Sequence, residues 1–392
     1  MKNIKLSIVT MLFVCIWLLV YYFVWPFQKW VVLSADIDTT QLTLKFTPWV
    51  TEEENWLLLV SDYFKENINS KQEGSFYNEI YEKFDFEKII ENYNIFVSWE
   101  YTKEELTKIN DLLKQEYITN IASKEELINK TMEDINQITD KDIVRQNLLS
   151  DFEDAYPELS IQRYTRTINI LAYIDLLQGN TDWFLEKTEH IQKLIYKYNS
   201  TEWQTYVITL VGIISYDFHY KMLNLMLQHD MITESNTKTE LLNIIQMYKI
   251  DLKEKIPHAI KSEYTLIKNA LEKIYKDPNR SILWASMDNN WKRQLLKRLE
   301  ANSYDHEKTQ DILAHYFVWL LECDQSKNCD LNDDIRHQLI RYNNEDNPFL
   351  RRNGIWINFL MSIVPRINWF QDRISKVENM KANLITELGK NI

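Results

Sequence analysis

Glycine is the first shortage. The chain has five glycines in 392 residues, where ordinary usage of about 7% would place about 27. They are Gly74, Gly179, Gly212, Gly354 and Gly389, too far apart for any glycine-rich phosphate loop. No G-x-S-x-G nucleophile turn and no H-E-x-x-H helical zinc site occur. Cysteine is nearly absent, with only Cys15, Cys323 and Cys329. Two cysteines without a histidine pair nearby make a poor zinc site. Positive charge is also short: 45 Lys and Arg face 57 Asp and Glu, a net charge of −12. A chain so charged repels nucleic acid, and no nucleic-acid partner, metal or cofactor is expected.

One long hydrophobic run stands out. Residues 6–25, LSIVTMLFVCIWLLVYYFVW, carry no charge between Lys5 and Lys29 and stop at Pro26. A bilayer core of about 30 Å takes roughly 20 apolar helical residues. Tyr21, Tyr22, Phe23 and Trp25 crowd its end, as in an interfacial aromatic belt. A cleaved signal peptide is the competing reading. Its apolar core is normally ~7–15 residues before a small-residue cleavage site, and the one candidate lies after Ala35 in VLSAD. The run is therefore expected to be an uncleaved transmembrane anchor over 6–27. Lys2, Lys5 and the amino terminus precede it, while Asp36 and Asp38 follow Lys29. The positive-inside rule then sets residues 1–5 in the cytoplasm and the body outside.

The remaining residues read as helices. Thr51–Glu54, Thr102–Glu105, Ser123–Glu126 and Thr201–Gln204 have the S/T-x-x-E/Q spacing of capping boxes. Apolar periodicity predicts helices over 52–66, 77–93, 102–118, 123–138, 140–154, 158–178, 181–199, 202–229, 237–252, 257–275, 281–300, 305–322, 331–341, 355–364 and 367–388. Alternation in QLTLKF (41–46) allows at most one short strand. Gly179-Asn180 joins two helices of similar length, with Thr181 or Asp182 available to cap the second. The expected fold is all-α: a transmembrane helix followed by an irregular, α-solenoid-like array of antiparallel hairpins. Composition suggests an acidic helical region over 28–155 and a helical-hairpin domain over 156–392. Residues 51–154 hold 25 acidic and 11 basic side chains, whereas 336–392 hold nine basic and five acidic. The acidic part either forms solvated helix faces or meets a cationic partner, including the basic end of another copy.

Two stretches, ILAYIDLLQGNTDWFLEK with TYVITLVGIISY (170–187 and 205–216) and NPFLRRNGIWINFLMSIVPR (347–366), resemble a group of uncharacterised bacterial proteins. Members of that group have one N-terminal span and an all-helical body, and the resemblance carries no function with it. The chain departs from the group by placing tryptophan where small or turn residues are expected, as at Trp56, Trp183, Trp203, Trp291 and Trp356. With 13 Trp against five Gly, a UGA codon read as glycine in the source cell would account for both counts. A tryptophan-rich core is the alternative. An intact mass matching the printed sequence excludes recoding.

Candidate sites are few. Arg351 and Arg352 precede Asn353-Gly354 and an apolar helix. Guanidiniums beside a helix start make an anion or partner site, or else the arginines pair with acidic neighbours around a turn. Cys323 and Cys329 bracket a polar loop and close a small disulfide ring or remain two thiols. Glu186 and His190 share a helix face at metal-ligand spacing, although such pairs usually bond at the surface. His219 and His229, on an apolar helix, read as core or hairpin histidines. Asp324–Asn332 sets oxygen side chains at alternate positions, but Cys329 and Ile335 replace a calcium loop's glycine and bidentate Glu. These features favour a membrane-anchored scaffold or protein-interaction module of the bacterial cell envelope. The alternatives are an envelope enzyme with a non-motif site and a self-associating structural protein. The expected partners are the bilayer through 6–27, another protein, or further copies of the chain.

Overall fold

The computed structural model describes residues 38–44, 56–68, 72, 74–81, 101–140, 160–200, 205–249, 251–276, 306–326 and 367–390. The described residues are helical, with no strand among them. The helices are α1 (Trp56–Tyr63), α2 (Lys103–Asn120), α3 (Glu125–Thr139), α4 (Ser160–Leu177), α5 (Thr181–Asn199), α6 (Tyr206–Gln228), α7 (Ser235–Met247), α8 (Lys255–Lys276), α9 (His306–Ser326) and α10 (Ile367–Gly389). A π turn, Phe64–Ile68, continues α1. The chain divides into two compact units, Leu44–Leu266 with Arg366–Ile392, and Met1–Thr43 with Ile267–Pro365. This division does not follow composition: 103–139 and 160–199 belong to one unit.

In the larger unit, α4 and α5 pack against each other as a hairpin, each at the centre of a row of helices. One row packs in the order α2, α4, α6, and the other in the order α3, α5, α7. The side-chain pattern explains this. In α3, Ile128, Thr131, Met132, Ile135 and Thr139 are buried, a stripe at helical spacing on a helix that packs against α1 and α5. In α6, buried residues occur on nearly every face, from Ile208 to Met226, because the helix lies against α4, α5 and α10. Its apolar character is thus spent inside the protein. Among the described residues no helix is long and apolar enough to cross a membrane. The expected anchor, 6–27, lies outside them.

Helix ends follow local chemistry. Thr102 and Glu105 form the predicted capping box: the Glu105 amide donates to Thr102 Oγ1 at 3.2 Å and the Thr102 amide to Glu105 Oε2 at 2.8 Å. The box expected at Ser123–Glu126 does not form. A 3-10 turn, Ala122–Lys124, carries the chain into α3, whose start has no side-chain cap. Neither Thr181 nor Asp182 caps α5, because the Asn180 position precedes it and Thr181 is already helical. The boxes at Thr51–Glu54 and Thr201–Gln204 lie outside the described residues. Pro257 sits in the first turn of α8, where the missing N–H costs nothing. The alternating QLTLKF gives no strand at its start. Thr39–Leu42 is a 3-10 turn, because Asp38 Oδ1 accepts from the Thr40 amide at 2.9 Å and the chain closes through Thr43 N to Thr40 O at 3.0 Å.

Gly179 ends α4 with φ +81°. Asn180 N donates to Asp175 O at 2.8 Å and Gly179 N to Leu176 O at 3.1 Å, the paired bonds of a Schellman motif. The same motif ends α6, with Met231 N on Met226 O and Asp230 N on Leu227 O. There an aspartate, Asp230, holds φ +53°. Left-handed backbone costs a non-glycine residue on the order of 1 kcal/mol. Asp230→Gly should therefore stabilise the unit by about that amount, seen as a raised thermal midpoint. Trp56, Trp183, Trp319 and Trp369 all lie inside helices, and none takes a positive φ. Their backbones make no demand for glycine.

Gly212 is needed for a different reason. A Cβ there would lie 2.2 Å from Asn199 Oδ1 and 2.6 Å from its Cγ. Asn199 is fully buried and donates to Ile195 O at 2.8 Å, so the amide has little room to retreat. Gly212→Ala should cost about 1–3 kcal/mol, measured by urea denaturation.

The described part of the smaller unit centres on α9. Leu313, Phe317, Leu320 and Cys323 are buried, and the Thr39–Leu42 turn packs against this helix. Gln310 Nε2 donates to Lys268 O at 3.3 Å, tying in the C-terminal part of α8.

Candidate functional site

Buried polar side chains concentrate between the helices of the larger unit. His190 on α5 is buried. Its Nδ1–H donates to Asn136 Oδ1 on α3 at 2.8 Å, and its Nε2 accepts from the Tyr164 hydroxyl on α4 at 2.9 Å. One step along the array, His219 on α6 donates from Nδ1 to Asn169 Oδ1 on α4 at 2.7 Å. Asn169 is itself held by donating to Thr165 O at 2.8 Å. Both asparagine oxygens fix the same neutral tautomer. Burial drives both imidazole pKa values down to about 3, so both rings are uncharged at neutral pH. Burial likewise holds the Tyr164 hydroxyl well above the usual phenol range. His219 Nε2 and the Tyr216 hydroxyl are buried without a hydrogen-bond partner among the described residues.

The second group lies at the α4–α5 turn. Lys187 Nζ donates to Asp175 Oδ2 at 2.6 Å, with 5% and 2% of the two side chains exposed. Trp183 lays its ring 4.7 Å from the ammonium. Burial raises the Asp175 pKa; Lys187 opposes that, while Glu125 and Glu186 reinforce it. Smaller ties repeat along the stack. Tyr173 donates to Asn110 at 2.6 Å, Gln192 to the Tyr220 hydroxyl at 3.1 Å, and Lys193 to Asp140 at 2.7 Å.

His190 has both ring nitrogens bonded inside the protein. The arrangement fixes register: any slip between helices would strand a buried donor or acceptor at a cost of about 1–3 kcal/mol each.

The sequence candidates fare as follows. Glu186 and His190 do not meet, because Glu186 is exposed while His190 points inward and is fully bonded. The surface pairing expected of them is replaced by a core role. His219 is a core histidine, whereas His229 is half-buried and terminates α6. Asp324 and Ser326, expected in a loop, continue α9 through its last turn. Cys323 is buried and disulfide-bonded. Its partner is outside the described residues, as are Cys329, Arg351, Arg352, Asn353 and Gly354. No cluster of three or more His, Cys, Asp or Glu suited to a metal occurs among the described residues. Lys187 and Asp175 escaped notice in the sequence, although the signal was present. Lys187 stands three residues after Phe184 and four before Ile191, within the apolar stripe of α5.

Comparison with known proteins returns no matching family model, no matching curated protein and no matching solved structure.

Proposed function

We propose that the chain is a membrane-tethered helical scaffold of the bacterial cell envelope, anchored through residues 6–27 with its N-terminus in the cytoplasm and its body outside. In this reading the stacked helices present a protein-binding surface. The observation that carries it is the commitment of His190, His219, Lys187 and Asp175 to buried ties between helices, which leaves the array as a frame and its outer faces for contact. A two-layer helix stack offers an extended surface suited to a protein partner. The charge-free run 6–25 and the flanking lysines support the anchor.

The test combines three readings on intact cells expressing the native chain. Alkaline extraction should leave it in the membrane. External protease should digest residues beyond the anchor. Residue-resolved cross-linking should join lysines exposed on α2 and α3, such as Lys103, Lys108 and Lys130, to one other protein at a fixed ratio. Release by alkali, a body shielded from external protease, or links confined to this chain would each overturn the corresponding part.

A further inference from the structure

α10 lies in the groove of α6 and α7. Phe370, Ile374, Val377, Lys381, Leu384 and Leu388 form its buried seam, and Phe370 meets Tyr206 edge to face at 5.2 Å. Glu378 stands beside this seam, half-buried. Its carboxylate acts electrostatically on two phenols of α6, Tyr216 and Tyr220.

Those phenols are one helical turn apart. Their rings stack with centroids 5.4 Å apart and planes 16° from parallel. Burial raises both pKa values, so each hydroxyl keeps its proton at neutral pH and can donate. Tyr220 accepts from Gln192 Nε2 on α5 at 3.1 Å, which leaves its own proton to be placed elsewhere. Gln192 Nε2 also reaches Tyr248 O at 3.5 Å, and this second acceptor fixes the orientation of the amide. Gln192 Oε1 and the Tyr216 hydroxyl are then buried without a hydrogen-bond partner among the described residues. Gln192 is 0% exposed and Tyr216 2%, so bulk solvent does not satisfy them.

Two hydroxyl donors and an amide oxygen therefore gather between α5, α6 and α10 with no bond closing the group. Each polar atom left so carries its full desolvation penalty. The chemistry of the group selects its occupant. An anion would meet Gln192 Oε1 and the Glu378 carboxylate. A cation would leave both phenol protons unmatched. A neutral hydroxyl fits all of them, because it accepts and donates at once. One water spans two oxygens up to about 5.5 Å apart, twice the length of a hydroxyl hydrogen bond, and buried waters typically make about three bonds to such groups.

We propose that Tyr216, Tyr220 and Gln192 form a binding site for one buried water, which accepts from the two phenols, donates to Gln192 Oε1 and carries the link onward to Glu378 of α10. The site does not rest on the scaffold function proposed above.

The test uses the full-length chain in detergent, unfolded with urea. A buried hydroxyl without a partner weakens a fold, and Tyr216→Phe would then raise the midpoint. A hydroxyl bonded to a held water supports the fold, so Tyr216→Phe should lower the folding constant of the larger unit about fivefold. A midpoint that rises or stays the same overturns the proposal. Gln192→Leu gives the second reading. Tyr216 and Gln192 make no hydrogen bond to each other, so unconnected losses would multiply. If they share one water, the double variant should lose less than the product of the two single factors, and a full product overturns the proposal. A crystal structure of the same chain should show one compact density peak within about 3 Å of Tyr216 Oη, Tyr220 Oη and Gln192 Oε1. No peak there, or an elongated density that assigns the site to a larger ligand, overturns it.

Discussion

Lys187→Ala should destabilise the larger unit by about 3–5 kcal/mol, the cost of removing one partner of a buried ion pair. Asp175 would stay 2% exposed with its 2.6 Å donor gone. Glu125 and Glu186, which already push its pKa upward, would then act without an opposing ammonium. The carboxyl would answer by taking up a proton. Its folded pKa would lie further above the unfolded value, so the variant's folded state binds more protons and regains stability as pH falls. The deficit should therefore be largest at neutral pH and shrink towards pH 5. Trp183, stacked on the ammonium at 4.7 Å, would lose its partner too, giving a change in tryptophan emission as a local readout. Replacing both charges, Asp175→Leu with Lys187→Met, removes the stranded carboxylate and should return stability close to wild type or above it. Urea denaturation of the two variants over pH 5–8 decides this. A single variant as stable as wild type would mean that water already reaches Asp175.

The contrast between the pair and the rest of the fold shows what a sequence exposes. Periodicity located most helices closely, because an apolar stripe must face something: α5 was expected over 181–199 and occupies Thr181–Asn199. The α4–α5 hairpin followed from its short Gly179-Asn180 joint. Capping was legible at Thr102, where the box closes on itself, but not at Ser123, where the preceding 3-10 turn takes over. The start of the strand-like alternation at 41–46 lost to two local bonds that Asp38 accepts from Thr40. The polar core could not be read, because burial of Asn169 or His190 depends on which helix faces which, and that is set by contacts distant in sequence. The return of α10 to α6 spans 156 residues between Asp217 and Arg373, beyond any local signal. The seam spacing of 370–388 was present in the sequence but did not name its groove.

Lowering the pH should weaken the larger unit well before ordinary carboxylates titrate. His190 and His219 have folded pKa values of about 3 against the ordinary 6.5, because burial excludes the charged ring. The folded state keeps both neutral, whereas the unfolded chain begins to protonate near pH 6.5. Between about pH 6.5 and 3 the unfolded state holds more protons, so stability falls as pH falls through that window. With both histidines contributing fully, the slope approaches about 2.7 kcal/mol per pH unit. Above the window neither state carries the proton and the effect is absent. His258, lowered by burial and then by Lys255 and Lys261, adds in the same direction. Asp175, whose folded pKa is raised, works against it. Ordinary carboxylates are still mostly ionised in both states between pH 6.5 and 5, so the slope there belongs to the histidines. His219→Gln keeps a donor for Asn169 and cannot titrate. It should lower stability at pH 7 and remove about 1.4 kcal/mol per pH unit from the slope. Urea midpoints at half-unit steps from pH 7.5 to 5 test this. A slope unchanged by His219→Gln would show that His219 is open to solvent, and the neutral-core account of the array would fail with it.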